Sequence, residues 1–187
     1  MTTSAAKPGQ ETTLKNLLAA FNGESNANAK YTAFAKKADD EGYHQVASLF
    51  RAAARAEQIH AANHAAVIRK MGGTPEAKIE AVQVKSTREN LKVAIAGEEH
   101  ERDVMYPGFI AEAEEKKNSA AVRTFNDALE AEKEHARLYH VALENLEQWK
   151  VKATYYVCAV CGYTVEKMSF DRCPVCKHPK EKFEAVS

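Results

Sequence analysis

A chain of 187 residues, 45% hydrophobic and 28% charged, can bury a real core and leaves room for a small second module. Lysine plus arginine and aspartate plus glutamate each number 26, so the formal net charge is zero, which argues against a sequence-independent nucleic-acid binder. No apolar run approaches the roughly 18 residues of a membrane span, and residues 1–11 lack the basic flank and apolar block of a secretory leader, so a cytoplasmic location is expected.

From residue 11 to 150 the sequence is rich in Ala, Leu, Glu and Lys and poor in Pro and Gly, with apolar residues at helical spacing. Residues 12–37 predict a first helix, with Leu14, Leu17, Leu18, Phe21, Tyr31 and Ala35 on one face and a stop near Asp39-Asp40-Glu41-Gly42. Residues 44–71 predict a second, carrying Val46, Leu49, Phe50, Ala53 and Val67 and stopped by Gly72-Gly73. A third opens at Ser86 or Thr87, a cap ahead of Glu89, and carries Leu91, Ala94, Ile95 and Met105; Pro107-Gly108 should kink it near its end. Residues 119–149 predict the fourth, with Val122, Phe125, Ala128, Leu129, Ala136, Tyr139, Leu143 and Leu146. Short links join helices one to two and three to four, whereas residues 72–85 can cross the whole assembly. The expected fold is mainly α, a four-helix bundle with one long crossover over residues 11–150. Beyond Trp149 the β-branched and aromatic run Val151, Thr154, Tyr155, Tyr156, Val157 favours extended chain, and Gly162, Pro174 and Pro179 mark turns, so residues 151–187 read as a separate small module.

Each apolar stripe is interrupted on its inner side. Glu24 follows Phe21 by three residues, Glu57 and His60 fall between Ala53 and Val67, Glu98 and Glu101 between Ile95 and Met105, and Glu132 and His135 between Leu129 and Tyr139. Residues three apart on a helix are neighbours, so each pair can aim two donor atoms at one point. Taken singly, Glu24 reads as a surface residue; the joint occurrence on four helices reverses that. Burying an unpaired carboxylate costs several kcal/mol, so five together require cations, and two divalent ions nearly balance them. Oxygen-rich ligation with two histidines suits iron or manganese. His64 reads as a packed or supporting residue, and His100, two residues from Glu98, should face away.

The four cysteines form two doublets, Cys158-x2-Cys161 and Cys173-x2-Cys176, which in a reduced cytosol read as a four-thiolate metal site. Zinc and iron accept the same tetrahedron of sulfurs, and the spacing alone leaves zinc favoured or even. So small a module must take much of its folding energy from the metal.

The complete ordered set, Glu24, Glu57-x-x-His60, Glu98-x-x-Glu101, Glu132-x-x-His135, then Cys158-Ala-Val-Cys161-Gly-Tyr163 and Cys173-Pro174-Val-Cys176, resembles the rubrerythrins over nearly the whole chain. The resemblance implies a ferritin-like bundle followed by a rubredoxin-like, β-rich module, with two non-haem irons in the bundle and one iron on the four cysteines. It implies that Glu57 and Glu132 bridge the irons, that Glu24 and Glu98 are terminal ligands, that His135 serves the second iron, and that Glu101 and His60 alternate on the first as the oxidation state changes. Tyr31 and Tyr106 match family tyrosines that hydrogen-bond ligand carboxylates and, with Glu101, are the candidate catalytic residues. The implied activity is reduction of hydrogen peroxide to water in defence against oxidative stress, with electrons passing through the four-cysteine iron from an external NAD(P)H-linked reductase or a rubredoxin. Because the link 147–154 is short, the two centres of one chain are expected to lie far apart, and a homodimer that brings one chain's module to its partner's bundle is expected by analogy. The competing readings are a ferritin-like ferroxidase or iron-handling protein, and a structural module with two kinds of metal site.

Overall fold

The computed structural model describes residues 9–187; the part of the leader reading that rests on residues 1–8 lies outside them. Four rods make up the bundle. α1 spans Glu11–Asp40 and α2 spans His44–Lys70; the third rod comprises α3 (Thr87–His100), a π-helical turn (Glu101–Met105) and α4 (Tyr106–Glu115); the fourth is α5 (Ser119–Glu144). Among the described residues, no helix is long and apolar enough to cross a membrane.

Local chemistry sets the ends of the rods. α1 stops where Gly42 takes φ +80° and the Tyr43 amide bonds back to the Ala38 carbonyl at 2.8 Å. α2 stops at Gly72, φ +83°. α3 starts in a full capping box, Ser86 accepting from the Glu89 amide while the Glu89 carboxylate accepts from the Ser86 amide. The irregularity of this rod lies ahead of Pro107, where a kink was expected. The chain widens into the π turn at Glu101–Met105, and Pro107 stands in the first turn of the restarted α4, where its missing N–H leaves no bond unmade. The last rod ends at Glu144, short of the expected residue 149, and a 3-10 turn, Leu146–Gln148, leads out of it.

The crossover follows α1 from one end to the other. Gly73 lies against Leu14, the Lys78 and Glu80 amides donate to the Asn22 and Asn26 side chains at 2.9 and 2.8 Å, and the Thr87 amide donates to Glu41 at 2.8 Å. The third rod therefore begins beside the far end of α1, as the expected single long crossover requires.

Two apolar layers fill the bundle. One holds Tyr31, Phe34, Phe50, Leu91, Leu138 and Tyr139; the other holds Leu17, Ile68, Tyr106, Phe125 and Ala128. Alanines at 47, 52, 53, 54, 56, 61 and 65 keep α2 narrow where it packs, so the rods approach closely. Between these layers lies the charged one.

The C-terminal module is a three-stranded antiparallel sheet of β1 (Tyr155–Cys158), β2 (Thr164–Val165) and β3 (Phe183–Val186), with β1 central and Tyr156 opposite both Val165 and Ala185. It lies on its own bundle, against α2 and α5. Arg55 pairs with Glu184 at 2.8 Å, Asn63 donates to the Val160 carbonyl at 2.8 Å, and Arg137 reaches Glu166 at 3.3 Å.

Candidate metal centres

Glu24, Glu57, Glu98, Glu132 and His135 are 0% exposed and His60 is 1% exposed, all in the middle layer of the bundle. Their donor atoms fall into two groups, Glu24, Glu57, His60 and Glu132 in one and Glu57, Glu98, Glu132 and His135 in the other, with all atoms of a group within 4.8 Å of one another. Glu57 and Glu132 belong to both. The atoms divide accordingly: Nδ1 of His60 lies 2.9 Å from Glu57 Oε2 and 3.0 Å from Glu132 Oε1, whereas Nδ1 of His135 lies 3.3 Å from Glu57 Oε1 and 2.8 Å from Glu132 Oε2. Each shared carboxylate thus turns one oxygen to each group.

Both imidazoles are held from behind by the C-terminal module. The Cys161 carbonyl can only accept, so His60 donates Nε2–H to it at 3.0 Å and keeps Nδ1 bare. Thr164 donates its own proton to the Gly162 carbonyl and accepts Nε2–H of His135 at 3.1 Å. A hydrogen bond on the far nitrogen orients the ring and selects the tautomer that leaves the near nitrogen free as a donor atom.

The remaining expected residues are placed as follows. Tyr31 donates to Glu98 Oε1 and Tyr106 donates to Glu24 Oε1. Glu101, expected among the ligands, lies outside both groups and is half-buried. The reason is local: it opens the π turn, where three residues cover less of a turn than in an α-helix, so its side chain falls short of the direction Glu98 takes. Its carboxylate faces the bare backbone of Gly23, where a Cβ would sit 3.9 Å from Oε1. His64 is fully buried beside the cluster and His100 is exposed. The supporting roles of Thr164 and Gly162 had no signal in the sequence beyond their nearness to the cysteines, and that of Asn63, on α2, had none.

The donor set fits a pair of cations. Glu24 Oε2, both oxygens of Glu57, His60 Nδ1, Glu98 Oε2 and Glu132 Oε1 are buried without a hydrogen-bond partner, an arrangement too costly to persist unless something positive occupies the middle. Protons show the same demand. Burial pushes the Glu24 carboxyl up to about 8, and Glu98 and Glu101 are raised by burial and by the acids facing them. At Glu132 burial is outweighed by the two imidazoles, which pull its carboxyl below the ordinary range. Four carboxylates in the two groups match two divalent ions in charge, and the mixed oxygen and nitrogen donors suit iron.

In the module, Cys158 Sγ lies 3.6 Å from Cys176 Sγ and Cys161 Sγ lies 3.6 Å from Cys173 Sγ, and the four sulfurs form one group. Four sulfurs about 2.3 Å from a common tetrahedral centre would stand roughly 3.8 Å apart, so the spacing suits a single metal. Hydrogen bonds from Cys158 and Cys161 hold the Cys173 thiol down at about 2, whereas hydrogen bonds to the other thiols push Cys161 up and burial pushes Cys176 up.

The distance argument behind the expected dimer does not hold. The Cys161 carbonyl sits one hydrogen bond from His60 of the same chain, because the link after α5 turns β1 back along the groove between α2 and α5.

A helical bundle with a two-metal carboxylate layer, joined to a small sheet carrying a four-cysteine knuckle, defines a ferritin-like di-iron protein with a rubredoxin-like domain. Profile comparison agrees: rubrerythrin matches residues 15–143, and the rubrerythrin rubredoxin-like domain matches 156–184. The chain belongs to the rubrerythrin family. It is 40% identical to nigerythrin of Nitratidesulfovibrio vulgaris over 181 residues, covering 96% of this chain and 89% of that one. It is 37% identical to rubrerythrin of Porphyromonas gingivalis, covering 93% and 90%. The solved structure of fully reduced, all-ferrous nigerythrin superposes with a TM-score of 0.86 at 38% identity, over 99% of this chain and 94% of that one. Bacterioferritin of Mycobacterium tuberculosis shares the fold, with a TM-score of 0.68 at 21% identity over 77% and 89%.

Proposed function

We propose that this chain is a peroxidase that reduces hydrogen peroxide to water, its bundle site re-reduced through the four-cysteine centre of the same chain by an external NAD(P)H-linked reductase or a rubredoxin. The observation that carries the reading is the division of Glu57 and Glu132 between two donor groups whose histidines are both held by the cysteine module. Two ferrous ions, when bound, supply the two electrons that cleave the O–O bond.

The protein's own residues do the rest. Glu57 and Glu132 would bridge the ions, Glu24 and His60 would complete one ligand set, and Glu98 and His135 the other. Tyr31 and Tyr106 hold Glu98 and Glu24 in place by hydrogen bonds. Glu101 is the acid left in reserve: with four carboxylates balancing two divalent ions, a fifth is needed only when oxidation raises the charge. On this reading Glu101 would take the place of His60 on the metal when the oxidation state rises. The Cys161 carbonyl joins a cysteine of one centre to His60 of the other through a single hydrogen bond.

Stopped-flow mixing of the fully reduced protein with hydrogen peroxide tests the reading. Rapid appearance of the oxidised di-iron spectrum is expected; a bundle site that stays ferrous would refute it. The visible spectrum also separates red ferric iron in four thiolates from colourless zinc.

A further inference from the structure

Behind Glu24 runs a line of buried polar groups that the ligand assignments leave unused. Tyr106 donates to Glu24 Oε1, so its oxygen is free to accept. His64 Nε2 lies 3.1 Å from that oxygen, and His64 Nδ1 lies 3.0 Å from Thr124 Oγ1. His64 itself is 3.9 Å from Glu24, so the bonded route passes through the tyrosine. Glu24, His64 and Tyr106 are wholly buried, and Thr124 borders an open surface pocket of about 480 Å³ that Asp127 and Arg123 also line.

The donors can be ordered without choice. The phenol is committed to the carboxylate, so Nε2 must carry the hydrogen that Tyr106 accepts. His64 is wholly buried, its nitrogens reach only the Tyr106 and Thr124 hydroxyls, and the nearest carboxylate oxygen, of Glu24, is 3.9 Å away, beyond hydrogen-bond reach, so the ring is neutral and Nδ1 is bare. Thr124 must then donate to Nδ1. Every hydrogen in the line points from the pocket toward Glu24.

We propose that Thr124, His64 and Tyr106 form a proton wire from the surface pocket to Glu24, through which the bundle site draws protons for reduction. The inference rests on the peroxidase reading, since H2O2 + 2 H⁺ + 2 e⁻ gives 2 H2O and the wire supplies one of the two protons in each turnover, the other coming from solvent. In a passage, Thr124 Oγ1 takes a proton from pocket water and gives its own to His64 Nδ1; Nε2–H passes to the Tyr106 oxygen, and the phenol proton passes to Glu24. Four bonds to hydrogen form and four break. Each of the three relaying side chains keeps its proton count, and His64 is left as the other tautomer, restored by exchange with water between turnovers.

Two measurements test the wire. In the zinc-substituted protein, the 15N shifts of His64 should report hydrogen on Nε2 and a bare Nδ1; hydrogen on Nδ1 reverses the line and overturns the proposal, with no peroxide chemistry involved. In the iron-loaded protein, Thr124→Val keeps the shape and removes the hydroxyl. It should slow single-turnover oxidation by peroxide about tenfold or more, within the range of a lost proton donor, and diminish the slowing that D2O produces in the wild type, while iron content, visible spectrum and melting temperature stay as they were. Thr124→Ser should restore the rate. A Val variant that reacts within twofold of the wild type overturns the wire even though peroxide is still reduced. A wild-type protein that peroxide leaves ferrous overturns the peroxidase reading itself and removes the wire's purpose.

Discussion

Gly162→Ala is the sharpest probe of how the module docks. A Cβ at this position would lie 2.2 Å from Nε2 and 2.7 Å from Cδ2 of His60 and 3.2 Å from the Ala56 carbonyl. Ordinary contact begins near ~3.5 Å, so about 1.3 Å of separation is required. His60 cannot yield it, being buried between Glu57 and Glu132 on one side and the Cys161 carbonyl on the other. The residue also holds φ +79°, which costs an L-residue about 1–2 kcal/mol. Losing the buried His60 bond adds about 1–3 kcal/mol. The backbone strain weighs on the module's own knuckle, while the clash and the lost bond, about 1–3 kcal/mol, are set against docking and not against the bundle, whose apolar layers are untouched. The variant should therefore keep its iron and its single-turnover reaction with peroxide, while reductase-driven turnover falls because the module has moved off His60. Paired measurement of the two rates on one sample decides it. Wild-type turnover from Gly162→Ala, with the Cys161 carbonyl still 3.0 Å from His60 in a crystal structure, would refute the docking argument.

Further outcomes are expected of the centres themselves. Glu57→Ala should lose both bundle metals in metal analysis, because Glu57 serves both groups, whereas Glu24→Ala should lose chiefly one. Cys161→Ala should leave the bundle folded by circular dichroism, abolish the four-cysteine spectrum and cut reductase-driven turnover. Since both centres lie on one chain, turnover per chain should not change on dilution through any subunit equilibrium seen by sedimentation; a fall that tracks dissociation would restore the two-chain route. The metal-free protein should melt at lower temperature as pH rises from about 6.5 to 8. Burial raises Glu24 from its ordinary 4.5 to about 8, and Glu98 and Glu101 are raised too; at His60 and His135 burial is outweighed by the carboxylates they face, which raise both. Groups with raised folded pKa values bind protons more tightly in the fold, so their contribution is complete below their ordinary values, 4.5 for the acids and 6.5 for the histidines, and is lost as the pH climbs past them. Glu132 and His64, both lowered in the fold, act in the opposite sense, but only below their ordinary values of 4.5 and 6.5, so the fall is read above about 6.5. A melting temperature that increases with pH over that window would contradict the burial argument.

Much of the molecule is written locally. Helical spacing places Glu57 with His60 and Glu132 with His135 on single faces, and two cysteine doublets can meet only through a tight knuckle, so the donor types and the rods that carry them are legible from the chain. Glu24 is a weaker case, lacking a paired neighbour, and is readable only because three other rods need a fourth partner. His64 is legible as a packed residue, but not its place between Thr124 and Tyr106, which lie 60 and 42 positions away.

What packing alone decided is how those groups face one another. The backbone period says which residues share a face; it does not say which oxygen of Glu57 turns to which imidazole, since that depends on where α2 and α5 come to rest. It does not say that the π turn leaves Glu101 outside the two groups, because the extra width of that turn arises within a rod that periodicity reads as continuous. Nor does the short link after α5 announce that the cysteine module folds back on its own bundle. That contact is made by Cys161 with His60 and by Thr164 with His135, pairs separated by 101 and 29 residues, and only the closed fold brings them together.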